Sequence, residues 1–447
     1  MSKLIVSVSG IRGVVGKNLT SETVERFTLA VSAVLEAGPL IVTRDGRANG
    51  VELAEDVCRT LASSGRNVID GGIAATPTTG VLIRELQAAG GIQISASHNP
   101  IQYNGLKLFD QTGRLLTAQR GEQVREIYQQ AAEPSLSGDN PGTVTVSEDT
   151  ISDHLNLVLA TVDVDRIRSR NYRVLLDANH GAGGLLGRRL LETLGCQPIL
   201  LGEEANGKFQ HAPEPTADNL TSICQQVAEQ DVVIGFCQDP DADRLAIIDA
   251  SGKYLGEEYT MALCVDHVLQ QGSGAIVTNC ATSRMIEDLS NKYGVAFHRS
   301  AVGEANVVDA MMATQACFGG EGNGGPIDPG VGYVRDSFVG MALVLDAMAA
   351  EDQSVRSLAD RLPCYSIHKT QITVASEQLP AAFAALEGQF AAATSSRLDG
   401  LRLDWPDQWL LIRASNTEPL VRLIAEASNQ AAAEQLCQHA SAIVQSL

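Results

Sequence analysis

Three aspartates stand at alternate positions in the stretch DPDADR: Asp239, Asp241 and Asp243. Pro240 disfavours a helical conformation for the residue before it, and alternate side chains of an extended chain point to one side, so the three carboxylates are expected to converge. Hard oxygen donors grouped in this way suit Mg²⁺, a cation that keeps coordination positions open for phosphate oxygens. An EF-hand loop is the competing reading. It needs a glycine at its sixth position and an acid at its twelfth, where this chain has Arg244 and Ala250, so it fails. The apolar flanks VVIGFC and LAIID put the stretch between two buried strands, where three unpaired carboxylates would repel one another. A metal site is therefore expected in preference to an acidic surface turn.

Five further stretches stand out from their surroundings. SASHNP, Ser95 to Pro100, offers Ser97 as a nucleophile and His98 beside it, with Asn104 and Lys107 a few residues on. Neighbours in an extended chain face opposite sides, so Ser97 and His98 are not expected to pair as nucleophile and base, and no GxSxG elbow surrounds them. From the residues alone the stretch reads equally as a Ser/Asn/Pro turn. FGGEGNGGP, Phe318 to Pro326, reads as a flexible Gly-rich segment whose Glu321 and Asn323 suit sugar hydroxyls, or as a simple turn; no Walker-type GxxxxGK[ST] occurs. RASNTEPLVR concentrates Arg413, Ser415, Asn416, Thr417 and Arg422, which suit a phosphate dianion or a solvated hairpin. Arg12, between glycines in SGIRG, is another possible phosphate contact. DANHGAGGLLG follows a strand and opens a helix, with Glu203 about twenty residues on, as in a dinucleotide fold. Its third glycine position is Leu186, so a Gly-rich strand-to-helix turn is preferred and a dinucleotide-dependent oxidoreductase is the remote alternative.

The elements that must hold these stretches follow a rhythm. SETVERFTLAVSAVLEAG opens with a serine cap and carries helical spacing; PLIVTRD, NVIDGG and IQIS read as strands separated by helices, the last leading into SASHNP. The pattern recurs with YRVLLDA, PILLG and DVVIGFC before DPDADR, and again with AIVTN, VAFHRS and CFG before GEGNGG. Strands alternating with helices imply parallel βαβ units, and open α/β sheets bind ligands beyond the carboxyl ends of their strands, so the three loops are expected to meet in one cleft. The remainder reads strand, helix, hairpin, helix: a small α+β domain. Linkers are expected near 135–145, 252–256 and 361–365, which divides the chain into 1–145, 146–253, 254–363 and 364–447.

The 447 residues carry 44% hydrophobic residues, enough for several cores, and a net charge of −20. That charge argues against nucleic acid or an anionic membrane as partner, while a few placed arginines still accept small phosphorylated ligands. Nine cysteines without a CxxC pair fit a reduced compartment. With no signal peptide and no run near ~18 apolar residues, a soluble, cytoplasmic protein is expected.

SGIRGVVG, SASHNPIQYNGLKLF, DPDADR, GGEGNGG and RASNTEPLVR occur in the order and approximate spacing found in the α-D-phosphohexomutases, which the whole chain resembles: the phosphoglucomutases, phosphomannomutases and phosphoglucosamine mutases. The resemblance implies three consecutive βαβ-type mixed-sheet domains plus a small C-terminal α+β domain around one central cleft. It implies that Ser97 is phosphorylated in the resting enzyme and joins Asp239, Asp241 and Asp243 around Mg²⁺. Phosphate then moves between O1 and O6 of a phosphorylated hexose through a hexose 1,6-bisphosphate, which also serves as primer. Arg12, His98, Lys107 and Arg244 would surround the reacting phosphate, with Lys107 a candidate for proton transfer. Glu321 and Asn323 would hold sugar hydroxyls, and Arg413, Ser415, Asn416, Thr417 and Arg422 the non-reacting phosphate. The chain departs from the family at Val6, Ser7 and Val8, at Asn323 for the usual serine, at Gly325 for a histidine and at Ala301 for a lysine. These changes bear on substrate choice. GGEGNGG and VGEANVV most resemble archaeal-type phosphoglucosamine mutases, which implies glucosamine 6-phosphate to glucosamine 1-phosphate, with glucose or mannose phosphates as the alternative. Neither monomer nor homodimer is implied.

Overall fold

The computed structural model describes residues 3–130, 140–374, 376–414 and 420–446. Its first sheet has seven strands, in the order Ile5–Ser7, Gly10–Val14, Tyr103–Asp110, Gly90–Ile94, Leu40–Arg44, Val68–Ile73, Val144–Val146. Leu40–Arg44 runs parallel to both Val68–Ile73 and Gly90–Ile94, the connections being the helices Gly50–Ser63 and Thr76–Glu85. The chain then reverses, and Tyr103–Asp110 pairs antiparallel with Gly90–Ile94. The second sheet repeats this plan. Arg173–Asp177, Gln197–Leu201 and Ile234–Gln238 are parallel, and Leu245–Asp249 folds back antiparallel on Ile234–Gln238. So does the third, where Ile276–Asn279, Phe297–Ser300 and Phe318–Glu321 are parallel and Gly325–Ile327 folds back on Phe318–Glu321. Each polar loop is thus the turn at the carboxyl end of the last parallel strand, which is the end where open α/β sheets place ligands.

Apolar runs dictate this arrangement. Gly90–Ile94, Ile234–Gln238 and Phe318–Glu321 are buried at every position, as strands covered on both faces must be. The fourth domain is a five-stranded antiparallel sheet, ordered Ser366–Thr373, Leu420–Ala427, Trp409–Ala414, Leu401–Asp404, Thr394–Ser396. Its helices Leu379–Gln389 and Gln430–Gln445 bury Ala382, Leu386, Leu436, Cys437 and Ala440 in that domain's own core.

Several details differ from the sequence reading. The first helix begins at Ser21, but its cap is Thr20, whose side chain accepts from the Thr23 amide. Part of the expected linker at 135–145 is the strand Val144–Val146, paired parallel with Val68–Asp70; three exposed residues give no apolar signal to find it by. The fourth domain gains the hairpin Thr394–Ser396 and Leu401–Asp404. A helix at Ser337–Glu351 buries every residue from Ser337 to Ala349. Apolar on all sides, it lies in one continuous core with side chains of the second and third sheets, including Leu176, Phe236, Ile276 and Phe318. Among the described residues no helix is long and apolar enough to cross a membrane.

Candidate active site

Ser97 sits at φ +49°, in the left-handed region, and is 4% exposed. A non-glycine residue there costs about 1–3 kcal/mol, so the surroundings must impose it. The Ser97 amide donates to Ser95 Oγ (2.9 Å), which in turn donates to Asp45 Oδ2 (2.7 Å). Asp45 is ion-paired with Arg47, and Arg47 Nη2 donates to the carbonyls of Ser97 (2.7 Å) and Asn99 (2.5 Å). Phe209, from the second domain, covers the Arg47 guanidinium at 5.1 Å. This turn sends Ser97 Oγ to 3.0 Å from Asp239 Oδ2 and 3.2 Å from His98 Nδ1. The expectation that Ser97 and His98 face apart is therefore corrected. It assumed an extended chain, and the left-handed residue reverses that geometry. His98 is pushed down to about 2 by burial, then by Arg244 and Arg12, so its ring is neutral and able to accept.

The three aspartates converge, with one oxygen of each within 4.8 Å of the others. They do so around a turn in which Ala242 has φ +54°, rather than along an extended strand. Asp239 Oδ1 accepts from the amides of Asp243 and Arg244, both at 3.1 Å. Lys107 bridges the other two, donating to Asp241 Oδ2 and to Asp243 Oδ2 (3.0 Å). Its strand register, opposite Gln93 and Gly10, puts it in the middle of the first sheet. Asp241 Oδ1 and Asp243 Oδ1 are buried and have no hydrogen-bond partner among the described residues. An unsatisfied buried oxygen costs about 1–3 kcal/mol, and more when charged, so a hard cation fits this donor set. Burial, then Asp243 and Asp241, raise the Asp239 carboxyl well above the usual range. Burial would raise Asp243 too, but Arg335, then Lys107, override it and hold it low. Lys107, desolvated yet facing Asp241 and Asp243, is held above its ordinary value and so keeps its proton.

Cations line the other wall. Arg12 Nη1 donates to Asn99 Oδ1 (2.7 Å), and burial lowers its pKa in the company of Arg244 and Arg47. Arg244 Nη1 reaches Glu214 Oε1 at 3.2 Å, while its buried Nε has no hydrogen-bond partner among the described residues.

The glycine-rich loop is not flexible packing material, which corrects the reading of FGGEGNGGP. Glu321 pairs directly with Gly325 in a hairpin, and side chains at its glycines would collide with neighbours. A Cβ would lie 2.3 Å from the Gly325 carbonyl at Gly320, 2.0 Å from Glu258 Oε2 at Gly322 and 2.2 Å from the Leu245 carbonyl at Gly324. Glu321 Oε1 accepts from Asn279 Nδ2 (2.7 Å) and the Gly303 amide (3.2 Å). Its Oε2 accepts from Arg335 Nη1 (3.0 Å) and Asn323 Nδ2 (3.3 Å). Asn323 Oδ1 is buried without a partner among the described residues. In the fourth domain Arg413 lies opposite Arg422 across the hairpin and 2.9 Å from Asp399, which also accepts from the Val302 amide (3.0 Å). Ser415, Asn416 and Thr417 lie outside the described residues.

The glycines of DANHGAGG are filled by the protein itself. A Cβ would meet Pro240 at Gly181 (2.5 Å), Gln238 at Gly183 (2.1 Å) and Glu203 at Gly184 (2.4 Å), so this turn packs against DPDADR rather than around a pyrophosphate. Asp45, Arg47, Asn279, Glu304 and Arg335 escaped the sequence reading. RDGR carries a visible charge cluster at a strand end, whereas nothing in VRDSF marks Arg335.

Three mixed sheets, each ending in a polar hairpin, and an antiparallel fourth domain joined to the third through Asp399 give the architecture of a phosphohexomutase. Comparison with known proteins agrees in every domain. Residues 3–135, 152–252 and 256–365 match the phosphoglucomutase/phosphomannomutase alpha/beta/alpha domains I, II and III, and residues 370–442 match the C-terminal domain. The chain belongs to the phosphoglucomutase/phosphomannomutase family. It is 32% identical to a phosphoglucomutase/phosphomannomutase of Thermococcus kodakarensis, over 95% of each chain. It is 31% identical to a phosphoglucosamine/phosphogalactosamine mutase of Sulfurisphaera tokodaii, over 100% of each. The crystal structure of a phosphoglucomutase/phosphomannomutase family protein from Burkholderia thailandensis superposes with a TM-score of 0.86 at 25% identity, covering 99% of this chain and 97% of that one.

Proposed function

We infer that this phosphohexomutase interconverts glucosamine 6-phosphate and glucosamine 1-phosphate by way of phosphorylated Ser97 and a hexose 1,6-bisphosphate. The observation that carries the reading is Ser97 Oγ at 3.0 Å from Asp239, beside the two unsatisfied oxygens of Asp241 and Asp243. Those three aspartates would hold Mg²⁺, which when bound neutralises charge on the transferring phosphoryl group. Arg12 and Arg244 face the same space and complement phosphate oxygens. A sugar hydroxyl oxygen forms its bond to phosphorus as the bond to Ser97 Oγ breaks. Lys107 carries its proton and is the group proposed for proton transfer: it supplies a proton to the departing Ser97 oxygen and regains one from the attacking hydroxyl, while neutral His98 lies beside Ser97 around the reacting phosphate. Glu321 and Asn323 hold the sugar, and Arg413, Ser415, Asn416, Thr417 and Arg422 grip the phosphate that does not react. The two phosphates then exchange places, and the second transfer returns phosphate to Ser97.

An amino sugar is preferred because GGEGNGG and VGEANVV most resemble the phosphoglucosamine mutases of archaeal type. The Sulfurisphaera relative supports this choice, and the Thermococcus relative supports glucose and mannose phosphates as the second reading. Incubating the protein with Mg²⁺, a bisphosphate primer and each of the three hexose 1-phosphates, with ³¹P NMR of the product, separates them. Conversion of the amino sugar above the others is expected. Preference for glucose or mannose leaves the mechanism standing and overturns the specificity, and no conversion of any sugar overturns both.

A further inference from the structure

Arg335 touches carboxylates from three separate segments. Its Nη2 donates to Asp243 Oδ2 (2.7 Å), its Nη1 to Glu321 Oε2 (3.0 Å) and its Nε to Glu304 Oε2 (2.9 Å). Glu304 Oε1 also accepts from the Arg335 amide (3.2 Å), so one carboxylate fixes both ends of the residue. The next residue, Asp336, caps the helix Ser337–Glu351 and hydrogen-bonds His154 (2.7 Å), which anchors the backbone. Gly325 supplies the room: a Cβ there would lie 2.4 Å from Arg335 Cδ and 2.9 Å from Cγ. At this position the family resemblance leads one to expect a histidine, and a histidine would occupy the space the arginine uses. Only a planar fork with donors in fixed directions spans three acceptors in this way.

The geometry points to Arg335 as a positioning residue that couples the sugar loop to the metal loop, so that Glu321 and cation affinity at Asp243 depend on one another. This rests on the reading of the aspartates as a metal site. The sign follows from charge. The guanidinium stands against Asp243 and competes with a cation there, and Glu304 and Glu321 together temper that competition. Removing charge from either glutamate leaves Arg335 less neutralised and weakens cation binding; removing Arg335 strengthens it. Linkage makes the effect reciprocal, so a ligand that engages Glu321 changes cation affinity by the factor with which the cation changes its own.

Calorimetric titration of the full chain with Mn²⁺ alone tests the coupling. Glu321→Gln and Glu304→Gln are expected to raise the Mn²⁺ dissociation constant by roughly fivefold, and Arg335→Gln to lower it by a similar factor. In the Arg335→Gln background, Glu321→Gln should lose most of its effect. Should that variant fail to fold, Arg335→Lys replaces it, because one ammonium cannot span three carboxylates and the Glu321→Gln effect must shrink there as well. Asp346→Asn removes a buried carboxylate held elsewhere by His267 and Arg166 and is expected to leave Mn²⁺ affinity unchanged. An equal effect of Glu321→Gln with and without Arg335 would mean direct Coulomb interaction and overturn the coupling, as would no effect in any variant. A native chain that binds no Mn²⁺ would overturn the metal site itself.

Discussion

At the scale of single residues, the site is an exercise in holding Ser97 against its own preference. The left-handed backbone is imposed by Ser95, Asp45 and Arg47, and Asp45 and Arg47 are wholly buried. Breaking a buried ion pair from one side leaves the other charge uncompensated, so Arg47→Met is expected to cost about 3–5 kcal/mol in urea unfolding. Asp45→Asn combined with Arg47→Met should recover part of that loss; a double variant as unstable as the sum of the singles would show that the pair does not act as a unit. The charges of RDGR were visible, but their link to Ser95 and Ser97 was hidden for a physical reason. Asp45 and Ser95 are fifty positions apart, and ion pairs or hydrogen bonds across such distances leave no periodic trace. The aspartate cluster was legible because its three members are local, although the turn that gathers them is not the extended chain that spacing suggested.

At the scale of elements, the repeated unit is a set of parallel strands closed by one antiparallel hairpin. Apolar runs bounded by helices made the parallel strands readable, and LAIID marked the strand after DPDADR; the return strands Tyr103–Asp110 and Gly325–Ile327 were not read from the sequence. Val144–Val146 and the hairpin at Thr394–Ser396 were not readable, since short exposed strands owe their existence to pairing rather than to burial. The hairpin of the sugar loop also rests on a titratable group. Glu258, at the start of helix Glu257–Gln271, accepts from the Ser283 amide (3.0 Å) beneath Gly322 and is raised to about 8, chiefly by burial. A carboxyl whose folded-state pKa is raised binds more protons folded than unfolded, so stability falls as pH climbs from about 4.5 to about 8. Glu258→Gln removes that dependence. Thermal melts should show it raising the melting temperature more at pH 8.5 than at pH 5, and an equal offset at both would contradict the assignment.

At the scale of the whole molecule, the domains meet through their functional loops. Ser97 of the first reaches Asp239 of the second, Asp243 reaches Glu321 of the third through Arg335, and Asp399 of the fourth holds the loop whose Gly303 amide holds Glu321. The second and third sheets share one core through the helix Ser337–Glu351. By contrast, the fourth domain has its own core and meets the third at a small apolar contact of Trp409, Leu411 and Ile424 with Cys280. The order of loops along the chain was visible in the sequence. Their meeting in one cleft was expected from the carboxyl-end rule, but the contacts that join them, such as Arg335 to Asp243 and Glu321, were not, because they depend on how separate sheets pack. The central claim is that Ser97 carries the phosphoryl group between sugar positions. Its most direct test is to load the protein with ³²P-labelled hexose 1,6-bisphosphate and Mg²⁺, locate the label by peptide mapping, and chase with unlabelled hexose 1-phosphate. One label on the Ser97 peptide, discharged onto the sugar by the chase and absent from Ser97→Ala, is the predicted result. A label on another residue, or one that the sugar does not discharge, would contradict it.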